Sequence, residues 1–205
     1  MKKNIINVII IYLMLSATMY AKDNIKADQV VKEFLGAVVI LDLKEGKDKL
    51  RQHSWGYMNS FPDIVGYTKL FGSTFKTDSK GIEGYKQLLR VKVLSKAGTE
   101  LVKKYIVICY KEKKTNLWKV FEMRTSVDDL NYEVEAAKKN LGNTRFVKNQ
   151  YNYNRYGYWL MMTGRIVEAR DSFTKAIEID KKDPGRTKID FNKSLQIANS
   201  ILGTK

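Results

Sequence analysis

Histidine and cysteine are almost missing from this chain: His53 and Cys109 are the only ones among 205 residues. Zinc and other nitrogen- or sulfur-ligated metals need clustered ligands, and one of each, far apart, has no ligand spacing. Histidine-based nucleophilic catalysis would rest wholly on His53, with no serine elbow or Cys-His motif beside it. A single cysteine also excludes an intramolecular disulfide. Cys109 ends the apolar run Tyr105-Ile106-Val107-Ile108-Cys109, where it reads as a small buried hydrophobe rather than a reactive thiol. Acidic residues are scarce too, 22 against 37 Lys and Arg, for a formal net charge of +15. No nucleic-acid recognition motif accompanies that surplus, and nothing in the chain calls for a metal or a cofactor.

The amino terminus has the pattern of an export signal. Met1-Lys2-Lys3 is basic, Ile5 to Tyr20 is apolar apart from Asn7, Ser16 and Thr18, and Ala21 precedes Lys22-Asp23. This predicts a secretory signal peptide over residues 1–21, cut after Ala21. The run is shorter than the roughly 20 apolar residues of a spanning helix. Met19 is large for its place three residues before the cut, so an uncleaved anchor is the alternative. No cysteine lies at the cleavage site, which excludes a bacterial lipoprotein. The expected location is therefore outside the cytoplasm, in a bacterial periplasm or cell envelope.

Residues 22–125 read as an α+β unit. Val31, Leu35, Val38 and Leu41 give a broad apolar helical face over Asp28 to Leu41. A second helix is predicted from Lys47 to Met58, then an aromatic, glycine-punctuated loop from Phe61 to Phe75. The period then changes from helical to alternating. Leu89, Val91 and Val93 alternate with Arg90 and Lys92 in a half-buried strand. Leu101 to Tyr110 and Leu117 to Thr125 follow as two more strands, and the short connections make them antiparallel neighbours. Tyr105 to Cys109 is apolar on both faces, so that strand should be covered on both sides. The amino-terminal helices can cover one face; the other needs the carboxy-terminal region, a second copy or a ligand. Helices followed by a curved antiparallel meander with Trp118 in its last strand resemble the nuclear-transport-factor-two-like family. That resemblance implies a cone, whose enzymatic members carry polar groups inside. Glu122, expected on one strand face with Trp118 and Val120, is the only obvious strand carboxylate for that role. Its plainer reading is an ion pair with Arg124 or a neighbouring lysine.

Residues 126–205 read as a helical module. Ser126-Val127-Asp128-Asp129 is a capping-box-like start, and Leu130, Val134, Ala137 and Leu141 form one amphipathic stripe. Phe191, Leu195, Ala198 and Leu202 form another. Between them, Tyr153, Tyr156, Gly157, Leu160, Gly164, Ala169, Phe173 and Ala176 place small and large residues at fixed offsets. Gly157 allows close helix approach, Gly164 can end a helix at positive φ, and Phe173 fills the space between helices. Ala169 and Ala176 are small enough for contact, and Pro184 stops the second helix. This pattern resembles one unit of the tetratricopeptide repeat, with Phe191–Leu202 as its capping helix. It departs from the family at Tyr153 and Tyr156, its first aromatic and leucine positions.

One such unit cannot bury its own apolar face and must lean on something. The resemblance implies a protein-interaction function with no chemistry of its own. It places the concave face on Tyr151, Asn154, Tyr158, Met161 and Met162. The family's carboxylate clamp wants lysine and asparagine at two of these places; Asn154 and Tyr158 stand there, so an acidic chain terminus is not implied. Alternatively, these residues pack against the chain's own sheet. The functional expectation is a non-catalytic protein-interaction or assembly module of the cell envelope. The second is a ligand-binding or enzymatic cone braced by the helices. The α+β unit carries 21 basic against 12 acidic residues, the helical module 14 against 10. Such a field suits an anionic lipid or acidic cell-wall polymer. Protection of sheet edges by lysine and an AT-rich genome are the duller explanations.

Overall fold

The computed structural model describes residues 26–39, 48, 50, 52–55, 74–83, 85–94, 101–124, 129–143, 148–184 and 189–204. The signal peptide expected over 1–21, Ser126, and most of the loop expected over Phe61–Phe75 lie outside them. Among the described residues no helix is long and apolar enough to cross a membrane. The fold is α+β. Helix α1 (Ala27–Val39) precedes strands β1 (Thr74–Glu83), β2 (Lys86–Leu94), β3 (Leu101–Lys111) and β4 (Trp118–Arg124). Helices α2 (Leu130–Lys139), α3 (Asn149–Thr163), α4 (Ile166–Lys182) and α5 (Phe191–Leu202) follow. Of the helix expected over Lys47–Met58, positions 48, 50, 52 and 53 are helical, but Ser54 forms an isolated bridge with Val120 and Trp55 is not helical, so the expected helix does not continue through them.

The four strands form one antiparallel meander in chain order. Strands β2, β3 and β4 are the three expected from the sequence. Strand β1 is additional, and it takes Phe75 out of the expected loop. Its Thr74-to-Glu83 sequence is polar and contains Gly81, so it shows no alternation. Pairing from Thr74 opposite Leu94 to Glu83 opposite Lys86 makes it a strand, with an irregularity between Ser79 and Gly81.

Both sheet faces are covered, as the two-sided apolar run of β3 requires. On one face Leu89, Val91, Val107 and Cys109 meet Val31, Phe34 and Leu35 of α1. Cys109 is fully enclosed there, and burial pushes its thiol pKa far above the usual range. On the other face Ile108, Tyr110 and Phe121 share a core with Leu160, Met161 and Met162 of α3 and Phe173 of α4. The division expected at residue 125 thus falls between β4 and α2 without separating two cores.

The helical elements form where local chemistry directs them. Helix α3 ends at Gly164, whose φ of 89° lets its N–H reach the carbonyls of Leu160 and Met161. A methyl group on Gly157 would lie 2.5 Å from Phe173 Cε1, so glycine is what lets α3 and α4 approach. Ala169 and Ala176 are buried along the same contact. Ser172 Oγ donates to the Tyr153 carbonyl at 2.7 Å, joining the two helices through a main-chain acceptor. Helix α2 is capped at the last residue of its expected capping box rather than at Ser126, the first. Asp129 itself is the cap, at φ 57°, and its carboxylate accepts the Tyr132 N–H at 3.0 Å. Asp190 caps α5 in the same way, accepting from Lys193 N.

Two tyrosines tie the sheet to the end of α3. Tyr110 Oη donates to the Met161 carbonyl, and Tyr85 Oη donates to the Gly164 carbonyl at 3.1 Å. Their rings stack with centroids 6.3 Å apart. These two carbonyls already accept from the backbone N–H groups of Gly164 and Ile166, and the hydroxyls add a second donor to each from a neighbouring layer. The last helix is tied as well, since Lys113 N in the β3–β4 loop donates to the Ser200 carbonyl of α5 at 3.0 Å.

Candidate functional site

The five residues of the expected concave face do not line an open groove. Met161 and Met162 are buried in the core that holds Ile108, Tyr110 and Phe121. Tyr158 is half-buried, with its ring 6.0 Å from Phe121 and 5.2 Å from Trp159 between centroids. Tyr151 turns toward α5, where its ring centroid is 5.6 Å from that of Phe191. Asn154 is half-buried, and its Oδ1 is enclosed without a hydrogen-bond partner. The physical reason is economy of apolar surface. A single helical hairpin needs cover, and the nearest uncovered apolar surface is the second face of the sheet.

A bulge decides where Glu122 points. Ile108 pairs with Glu122 while Cys109 pairs with Val120, so β4 carries one extra residue, Phe121. Alternation breaks there. Trp118 and Val120 stay on the α1 face, whereas Phe121 and Glu122 both reach the α3 face. The expected common face of Trp118, Val120 and Glu122 is therefore corrected. Glu122 is 4% exposed. Its Oε2 accepts the Tyr158 hydroxyl at 2.5 Å and its Oε1 accepts Met123 N at 3.0 Å. Arg124 is not its partner; that guanidinium lies 4.9 Å from the Trp159 ring centroid. With both oxygens engaged, the carboxylate is a tie between β4 and α3. Replacing Tyr158 by phenylalanine is expected to cost about 1.5–3 kcal/mol, because a buried charged acceptor loses its donor. Urea unfolding measures this, and Glu122→Gln should shrink the Tyr158→Phe effect if the tie is the cause.

An open concavity lies on the other side of the sheet. A cleft of about 360 Å³ lies between α1, residues 52 and 53, and the β3–β4 connection. Val30, Leu117 and Trp118 form apolar wall, and Gln52, His53, Glu112, Thr115 and Lys119 bring polar atoms to it. Glu112 is engaged by Lys119 Nζ at 3.3 Å and by Thr115 Oγ1 at 2.5 Å. His53 Nε2 is 3.1 Å from Glu33 Oε2, which ties the cleft wall to α1. Lys119 Nζ also sits 4.7 Å from the centroid of Trp55, and Lys111 Nζ 5.9 Å from that of Trp118. Much of the cleft's charge is thus already paired within the protein. Such a lining suits an amphipathic guest held by shape and a few hydrogen bonds.

Sequence reasoning singled out Trp118 and His53 individually but did not bring them together, and it passed over Gln52, Thr115 and Leu117. The one available signal is a tryptophan at the first position of a strand, directly after a polar loop. Among the described residues no group of three or more His, Cys, Asp or Glu is placed to hold a metal ion. Compared with known proteins, the chain matches no family model, no curated protein and no solved structure.

Proposed function

We propose that the protein is an exported, non-catalytic binding module of the bacterial cell envelope. Its tetratricopeptide-type hairpin is a brace, and recognition belongs to the α+β layer. The observation that carries this reading is the contrast between two surfaces. The hairpin's inner face is consumed by Ile108, Tyr110 and Phe121 of the same chain, while the cleft beside Trp118 stays open. Its volume takes one or two side chains of a peptide or protein partner. Leu117 and Trp118 would supply apolar contact, and Gln52 and Thr115 would supply orientation. A small free ligand of the same amphipathic character is the second reading, favoured by the size of the cleft alone.

Site-specific photo-crosslinking in the native envelope tests the reading. A crosslinker at Thr115 or Leu117 is expected to yield one discrete adduct of higher mass, and one at Tyr151 or Asn154 none. The reverse pattern returns recognition to the hairpin and defeats the proposal. A Thr115 adduct only slightly heavier than the chain selects the small-ligand reading.

A further inference from the structure

Among the described residues, the second face of the sheet is covered by helices at one end only. Helix α3 lies over Ile108, Tyr110 and Phe121. Beyond that end, on the same face, Arg90, Lys92 and Lys104 are exposed, and Ile106 and Arg124 are partly exposed. Strand register arranges them in rows. Arg90 pairs with Ile106, and Ile106 with Arg124; in the next row Lys92 pairs with Lys104. Strand β1 places Lys76 opposite Lys92 and Asp78 opposite Arg90. Neighbouring strands are about 4.8 Å apart, and same-face residues along a strand about 6.8 Å, so the cations form a close lattice.

This arrangement is costly to the isolated fold. Like charges directly opposite one another destabilise a strand pair, and Lys92 faces Lys104. Among the residues whose side chains are described, which leaves out Asp78, no carboxylate forms an ion pair with Arg90, Lys92, Lys104 or Arg124. Protection against edge-to-edge aggregation does not explain Arg90, Lys92 and Lys104, because β2 and β3 are inner strands; Arg124 alone lies on an edge strand, β4. An external anion would relieve the repulsion.

The neighbouring helix layer limits the shape of that anion. Helix α3 stands on the same face, and a packed helix is about 10 Å thick. The cations therefore lie at the foot of a step, with Arg124 held against Trp159 at its base. A flat bilayer meets the helix before it meets the sheet, whereas a linear chain can lie along the step. We propose that Arg90, Lys92, Lys104 and Arg124 form a binding site for a linear phosphate-bearing polymer. Closely spaced phosphates match a lattice of lysine and arginine, which engage them by charge and by forked hydrogen bonds.

The test uses the full chain and linear inorganic polyphosphate, with binding read by anisotropy of a labelled polymer at several salt concentrations. Binding is expected at low salt, weakening as salt rises. Lys92→Glu or Lys104→Glu should weaken it about tenfold. Each also converts a like-charge cross-strand pair into an opposite one, so thermal stability should hold or rise. Lys114→Glu and Lys181→Glu change net charge equally but lie elsewhere, and should weaken binding less than about twofold. Equal losses in all four variants, or no binding by the parent chain, overturns the site. Tighter binding to phosphatidylglycerol vesicles than to polyphosphate, with the same dependence on Lys92 and Lys104, overturns the choice of polymer.

Discussion

A chain ending at Arg124 is expected to be unfolded or aggregated, although it keeps every strand of the sheet. Removing the helices strips the cover from Ile108, Tyr110 and Phe121, which are 0%, 0% and 2% exposed in the whole protein. Burying each such side chain is worth about 1.5–3 kcal/mol. The three together amount to roughly 5–9 kcal/mol, which is comparable to the whole net stability of a typical protein. Truncation also leaves Glu122 without the Tyr158 hydroxyl and strands the Tyr110 hydroxyl. Circular dichroism and binding of a hydrophobic dye compare the truncated and intact chains directly. A soluble fragment with a cooperative melt and a native-like strand spectrum would show that the sheet and its α1 layer are self-sufficient. The braced architecture would then be wrong.

The second large effect sits between α3 and α4. Phe173→Ala is expected to cost about 3–5 kcal/mol, the usual range for emptying a buried aromatic site. Its more informative use is as a background for Gly157→Ala. In the parent protein the new methyl would lie 2.5 Å from Phe173 Cε1, so the helices must separate or the ring must move. Overpacking of that kind costs about 1–3 kcal/mol, against a gain of about 1 kcal/mol from replacing a helical glycine. The net sign is destabilising. Without the Phe173 ring the clash disappears, the methyl fills part of the void, and the helix gain remains. Gly157→Ala should then stabilise. Chemical denaturation of the four proteins in this cycle measures the reversal. The same sign in both backgrounds would mean that Gly157 is not there for Phe173.

Features decided within a few residues were readable from the chain. Gly164 announces a positive-φ helix end, and Gly157, Ala169 and Phe173 announce a close helix crossing, because the spacing of small and large residues has one common solution. The alternation of β2 and the continuous apolar run of β3 were readable too, and so was the need to cover both faces of β3. What escaped was decided by partners distant in sequence. Thr74–Glu83 has no alternation to display, and only pairing with β2 makes it a strand. Glu122 was placed on the wrong face because a single inserted residue, Phe121, resets the alternation of β4. The start of α2 slipped from Ser126 to Asp129 because Asp129 adopts a left-handed backbone and caps with its own side chain. Met161, Met162 and Tyr158 were legible as an apolar contact surface, but a surface pattern does not name its occupant. The cleft beside Trp118 joins α1 to the β3–β4 connection, and no local pattern brings those segments together.

The bond from Lys113 to Ser200 has a meaning for how the chain acquires its shape. It links a hairpin loop in the middle of the sequence to a helix almost at its end. Sheet strands emerge first during synthesis, yet one of their faces stays bare until α3 arrives, and the final latch waits for α5. Native contacts of such long sequence separation form slowly, and the growing chain displays Ile108, Tyr110 and Phe121 in the meantime. The half-finished sheet is thus exposed to sticking to itself until α3 covers it.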